Sequence, residues 1–269
     1  MIGWWQWRCE PAAACALVAA GWAYALAMGP FRGRIAPGEP FPRRRAALFY
    51  AGLALLFLAL CSPFARLASS YLFTAAIAQE LVVIYPAAAL LILGLPPWAA
   101  DAALSRPALG ASVGWLLRRP VLCGAAFTLA VLAWHMPRPF EWALEADWGL
   151  PVRHAAILGA SLLFWWPLLS GARLCPPMGH AGRILYLFLI TVALTGLFSY
   201  ILMADHAIYP SYEYAPRLIA AMDPVDDQVV GGILLSGVSS VIMLGVLYVN
   251  FQRWARKDHP PGQRTGHQT

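Results

Sequence analysis

Residues 184–204 read ILYLFLITVALTGLFSYILMA, 21 residues without a charge. At 1.5 Å per residue a helix of this length is about 31 Å long, the thickness of a bilayer's hydrocarbon core. Backbone N–H and C=O groups must bond internally in that solvent, so such a run crosses as a helix. Six further stretches share its character: Pro11–Met28, Ala46–Ser62, Tyr71–Leu95, Pro120–Met136, Val152–Ser170 and Val229–Phe251. Their apolar residues are continuous rather than alternating, which excludes a barrel. The whole chain is 60% hydrophobic and 12% charged, about half the charge of a soluble domain. The sequence therefore predicts an all-α polytopic bundle of about seven spans within residues 1–256. A polar tail over 257–269, rich in Pro and Gly, is expected to be disordered and cytoplasmic.

Arginine sets the orientation. With the N-terminus outside, the inner segments hold Arg32, Arg34, Arg43, Arg44, Arg45, Arg106, Arg118, Arg119, Arg173, Arg183, Arg253, Arg256, Lys257 and Arg264. These are fourteen of the 19 basic residues; Arg8, Arg66, Arg138, Arg153 and Arg217 fall outside. The positive-inside rule selects N-out, C-in. The net charge of +6 is thus topological, and no nucleic-acid partner is expected. Ala25-Leu26-Ala27 resembles a cleavage site, but cleavage would place five arginines outside, so the first span is expected to be retained. Cys9, Cys15, Cys61, Cys123 and Cys175 are scattered and odd in number, which is no disulfide framework. Residues 96–119, with Trp115 followed by Arg118 and Arg119, read as an interfacial segment.

Glu80 is the one clearly ionisable residue deep in a span, about 14 Å along the third helix counted from Tyr71. At that depth it must be protonated, paired or turned to a polar cavity, either as a ligand or proton carrier or as a neutral hydrogen-bonding group. Other polar residues gather at the outer helix ends: Trp134-His135-Met136-Pro137, His154, Met203 with Asp205 and His206, and Met222 with Asp223, Asp226, Asp227 and Gln228. Imidazole and thioether suit copper(I). The metal candidates are therefore His135, Met136, His154, Glu80, His206 and Asp227. Each has a plainer reading. A His at a helix end is an interfacial residue, and aspartates before the seventh span stabilise its positive terminus. Gly231-Gly232 reads as a close-packing patch, and Phe164-Trp165-Trp166-Pro167 as an aromatic anchor at the inner interface.

Asp223-Pro224-Val225-Asp226-Asp227-Gln228-Val229-Val230-Gly231-Gly232 resembles the DPxxDQxxGG signature of the CtaG family of cytochrome c oxidase assembly factors. Trp134-His135-Met136-Pro137, His154 and Phe164-Trp165-Trp166-Pro167-Leu168 resemble its WHxP…H…FWWPL block, and Tyr209-Pro210-Ser211-Tyr212 its YPxY. The resemblance covers about two-thirds of the chain, from Tyr71 onward. It implies seven spans and a role in maturing haem–copper oxidase, through its copper centres. The chain departs from the family at the third helix, where HMxQH is replaced by Ala76-Ile77-Ala78-Gln79-Glu80, with Gln79 kept and both histidines gone. The Glu-His pair before the fifth span is Arg153-His154, and the His four residues earlier is Leu150. A carboxylate is a poor match for copper(I).

The expected function is oxidase assembly in the bacterial inner membrane, with oxidase subunits or other assembly factors as partners, the bilayer as solvent and copper as a possible cofactor. The alternative is a proton-coupled or metal-ion transporter using Glu80. A membrane cytochrome would need two facing axial histidines; His135 and His154 both sit at the rim, so no haem is expected. No triad or phosphate loop is present, and the chain is not expected to be an enzyme. Topology is directly testable: reporter fusions at Arg44 and Arg256 read cytoplasmic, and fusions at Glu145 and Glu213 read outside. Inversion at any two of these sites overturns the orientation.

Overall fold

Proline marks where the helices start. Its missing N–H is one that a first turn leaves unbonded, and its fixed φ already suits a helix. Pro11, Pro63, Pro97, Pro107, Pro120, Pro137 and Pro224 each open one. The computed structural model describes residue 7 and residues 9–258. In chain order the helices are α1 (Pro11–Met28), α2 (Arg43–Leu60), α3 (Pro63–Ser70), α4 (Phe73–Gly94), α5 (Pro97–Leu104), α6 (Pro107–Leu117), α7 (Pro120–His135), α8 (Pro137–Glu145), α9 (Gly149–Leu169), α10 (His180–Leu202) and α11 (Pro224–Asp258). Single turns at Arg32–Ile35 and Pro210–Glu213 lie in the links, and the described residues include no strand.

Five helices are long and apolar enough to cross a membrane: α1, α4, α9, α10 and α11. Two bent pairs, α2 with α3 (51°) and α6 with α7 (82°), bring the total to as many as seven. The described residues thus hold five to seven candidate spans, and the expected seven are reached if each bent pair is one span. The first break falls at Cys61-Ser62. Pro63 cannot continue the preceding helix, and the Ser62 hydroxyl accepts from the Phe64 N–H, capping α3.

The buried side of the bundle is formed by α4, α7 and α9, with α10 and α11 packed beside them and α1 resting on α2. α4 contains a π-turn over Val83–Ala87 around Pro86, and Trp165 Nε1 donates to the Ile84 carbonyl there at 2.8 Å. Phe164, Trp165 and Trp166 are buried: Phe164 stacks on Phe127 (4.7 Å) and Tyr186 (5.9 Å). This corrects the expectation of an interfacial anchor. Aromatic rings suit a bundle interior as well as a headgroup layer, and only their neighbours distinguish the two. Trp115 does lie outward, with the Arg119 guanidinium 3.7 Å from its ring centre. α11 continues to Asp258; the rest of the polar tail expected over 257–269, like Arg8, lies outside the described residues.

The two ends of the bundle differ in sign. One carries the arginine-rich links; the other, here the acidic end, carries α8 and residues 203–223 with most of the acids. Near the arginine-rich end α2 and α4 approach so closely that a Cβ on Gly94 would lie 2.6 Å from the Phe49 backbone nitrogen. Tyr24 seals the contact, stacking on Phe49 at 4.0 Å and donating to the Gly94 carbonyl at 3.0 Å. Gly94→Ala is expected to lower stability by about 1–3 kcal/mol through overpacking. Gly196→Ala, where nothing lies within 4 Å inside α10, should not lower it and should raise it by up to about 1 kcal/mol. Unfolding midpoints of the purified proteins in detergent check both.

Candidate functional site

The start of α11 is where the acidic end is tied together. Asp223 and Asp226 cap the helix reciprocally: the Asp226 N–H donates to Asp223 Oδ1 (2.7 Å) and the Asp223 N–H to Asp226 Oδ2 (3.3 Å). Asp227 serves a different helix. Its Oδ2 accepts from the Phe73 N–H at 2.6 Å and its Oδ1 from the Thr74 N–H at 3.1 Å, while Thr74 Oγ1 donates to its carbonyl at 2.9 Å. A buried carboxylate thus meets the unbonded N–H groups and positive terminus of α4. Gln228 ties down the link after α10: Oε1 accepts from the Ile208 N–H (2.7 Å), and Nε2 donates to the Ile201 (3.4 Å) and His206 (3.3 Å) carbonyls. A Cβ on Gly231 would meet the Phe73 ring at 2.6 Å, and one on Gly232 would meet Ile201 and Leu202 at 3.1 Å. The packing expected of the two glycines is present.

Two tyrosines extend this clip. Tyr209 donates to the His135 carbonyl (2.8 Å) and Tyr212 to the Ala68 carbonyl (2.6 Å). Burial pushes both hydroxyls well above the usual tyrosine range, so they remain neutral donors. Phe73, Phe140 and Tyr209 stack together at 4.3–5.9 Å. Glu141 accepts from the Ser211 N–H and hydroxyl, joining α8 to the same link.

Beneath lies the charged centre. Glu80 on α4 and Arg153 on α9 are buried and in contact, Arg153 Nη2 donating to Glu80 Oε2. The Arg153 guanidinium also lies over the Phe140 ring, 4.3 Å from its centre. His135, fully buried, directs Nδ1 to the Val131 carbonyl at 2.8 Å, which leaves Nε2 facing Glu80 Oε1 at 3.6 Å. The adjacent His154 turns elsewhere, with Nδ1 3.6 Å from Glu10 Oε2. Consecutive residues of α9 thereby meet carboxylates from two other parts of the chain.

Of the six candidate residues, only Glu80 and His135 come together. Met136 is exposed in the link to α8, His206 is exposed, and both Asp227 oxygens are occupied by backbone N–H groups. Among the described residues no three His, Cys, Asp or Glu side chains gather around a point that could hold a metal ion. The donor set does not fit copper. One imidazole and one carboxylate oxygen face each other, no soft sulfur joins them, and a guanidinium already neutralises the carboxylate. The transport alternative also finds no support, because Glu80 is sealed in the core by Arg153. Sequence reasoning missed Arg153, which it placed among outer loop charges. The signal that could have found it is Glu80 itself, since a buried carboxylate requires a cation and Arg153 stands at the start of an apolar run.

An all-helical multi-pass membrane protein, closed at one end by carboxylate, glutamine and tyrosine clips around a buried ion pair, is the class these features define. Residues 22–257 match the cytochrome c oxidase caa3 assembly factor family, Caa3_CtaG, and the chain belongs to that family. No curated protein matches the chain, and no solved structure matches it. Asp227 and Gln228, and Tyr209 and Tyr212, of the clip lie in two of the segments whose sequence resembles the CtaG signatures. Glu80 and Arg153, two of the positions read from the sequence as departing from the CtaG pattern, are each other's partner.

Asp227→Ala strips two buried N–H groups of a charged acceptor and should cost about 2–3 kcal/mol. Asp223→Ala, at an exposed cap, should cost about 1 kcal/mol. Detergent-phase unfolding midpoints of the two variants would separate them; equal losses would contradict the cross-helix role of Asp227.

Proposed function

We propose that this oxidase assembly factor is non-catalytic and works in the bacterial plasma membrane, N-terminus outside and C-terminus in the cytoplasm. In this reading it holds an oxidase subunit or another assembly factor against its acidic end. The family match over residues 22–257 carries the reading, because the motif residues within that match build the acidic end. The chemistry of that end supports scaffolding. The Asp227 carboxylate, the Gln228 amide and the hydroxyls of Tyr209 and Tyr212 bond backbone groups, which fixes a surface instead of poising a reactive centre. Trp142, Trp148, Met203 and Tyr214 are exposed around it, and aromatic and Met side chains are enriched at protein contacts. Copper handling by His135, Met136 and His154 forms no part of the reading, since the three side chains point to different surroundings.

Deleting the gene is expected to lower assembled cytochrome c oxidase, read from the membrane spectrum and turnover, while oxidase transcripts stay level. A normal oxidase spectrum and activity in the deletion strain would end the assembly reading for this chain.

A further inference from the structure

We propose that Glu80 and Arg153 form a self-neutralised charge lock between α4 and α9, with the neutral His135 ring of α7 facing it, and that Arg153 keeps this cluster free of bound cations. The inference goes beyond the assembly role and does not rest on it. Glu80 and Arg153 are 4% and 3% exposed and His135 is 0% exposed, so water does not screen the group. Arg153 contributes a charge that proteins do not titrate away, and Glu80 contributes its opposite. With a neutral imidazole the three side chains sum to zero.

The atoms left over are what makes the cluster informative. Glu80 Oε1 and His135 Nε2 are buried, lack a hydrogen-bond partner and face each other at 3.6 Å. The His135 ring is fixed in this pose. Nδ1 faces a carbonyl oxygen, which can only accept, so Nδ1 carries the proton and a neutral ring presents its Nε2 lone pair. A carboxylate oxygen opposite an imidazole lone pair is half of a ligand set. Two features stop it from becoming a whole one. No third donor joins it among the described residues, and any cation between the two atoms would stand beside a guanidinium in a low-dielectric interior. Phe140 covers the guanidinium and holds it in place. Arg153 therefore occupies the electrostatic role that a metal ion would otherwise take.

Full-length protein purified in detergent, with Glu80→Leu, Arg153→Leu and the double variant, tests both halves. Copper(I) supplied anaerobically in excess should leave wild type and Glu80→Leu with the same copper content after desalting, since any copper held by the free thiols is common to both. One equivalent of copper that Glu80→Leu abolishes would overturn the proposal. Each single change should lower the melting temperature, because it strands a buried charge, and the double change should recover more than half of that loss. Additive losses in the double variant would refute the lock. If the single variants do not accumulate, the double variant should still be recovered from membranes, and its absence there would refute the lock equally.

Discussion

Glu80 and Arg153 lie inside an apolar bundle, where neither charge is tolerable alone. On insertion scales a charged residue at a helix centre costs about 2.5–3.5 kcal/mol. Breaking a buried pair costs about 3–5 kcal/mol, because the survivor has no partner. The pair therefore constrains its surroundings more than it stabilises them in net terms. α4 and α9 must keep one register, Phe140 must stay over the guanidinium, and α8, which carries Phe140, must keep its place at the acidic end. Tyr209 then packs on Phe140 and bonds the carbonyl of His135, whose ring faces Glu80. Covering aromatics, tyrosine links and charges form one connected unit.

The family signature takes on a physical meaning in that light. Asp227 closes the N-terminus of α4, Gln228 fastens the link after α10, and the two glycines let α11 come within reach of both. These residues look reactive in a sequence because acids and amides near a membrane boundary invite thoughts of ligands. Their partners are almost all backbone groups, which must be satisfied wherever water is excluded. On the scaffolding proposal these residues hold a surface in shape, and that surface is what a partner would meet.

Much of the fold was legible because length and hydropathy are local properties. α1, α4, α9, α10 and α11 emerge within a few residues of the runs that predict them, and Pro63 and Pro120 mark the bends. The site was less legible because its bonds are long-range. Asp227 meets residues 153 and 154 positions away, and Arg153 meets Glu80 across 73 positions. Read locally, Asp227 appeared to serve its own helix and Arg153 to be a loop charge. Phe164–Pro167 was misplaced for a related reason: composition gives depth along a helix but not which neighbour it faces. Glu80 was recognised as a residue requiring an explanation, since a buried carboxyl is conspicuous in any apolar run.

The 73-position separation of Glu80 and Arg153 also measures time. At about 5–20 residues per second, the ribosome takes about 4–15 s to make Arg153 after Glu80. During that interval α4 has no counter-charge from α9. The helix must either wait at the insertion machinery or enter with its carboxyl protonated and ionise when the guanidinium arrives. Membrane entry of α4 thus comes before synthesis of the helix, two spans later, that supplies its counter-charge.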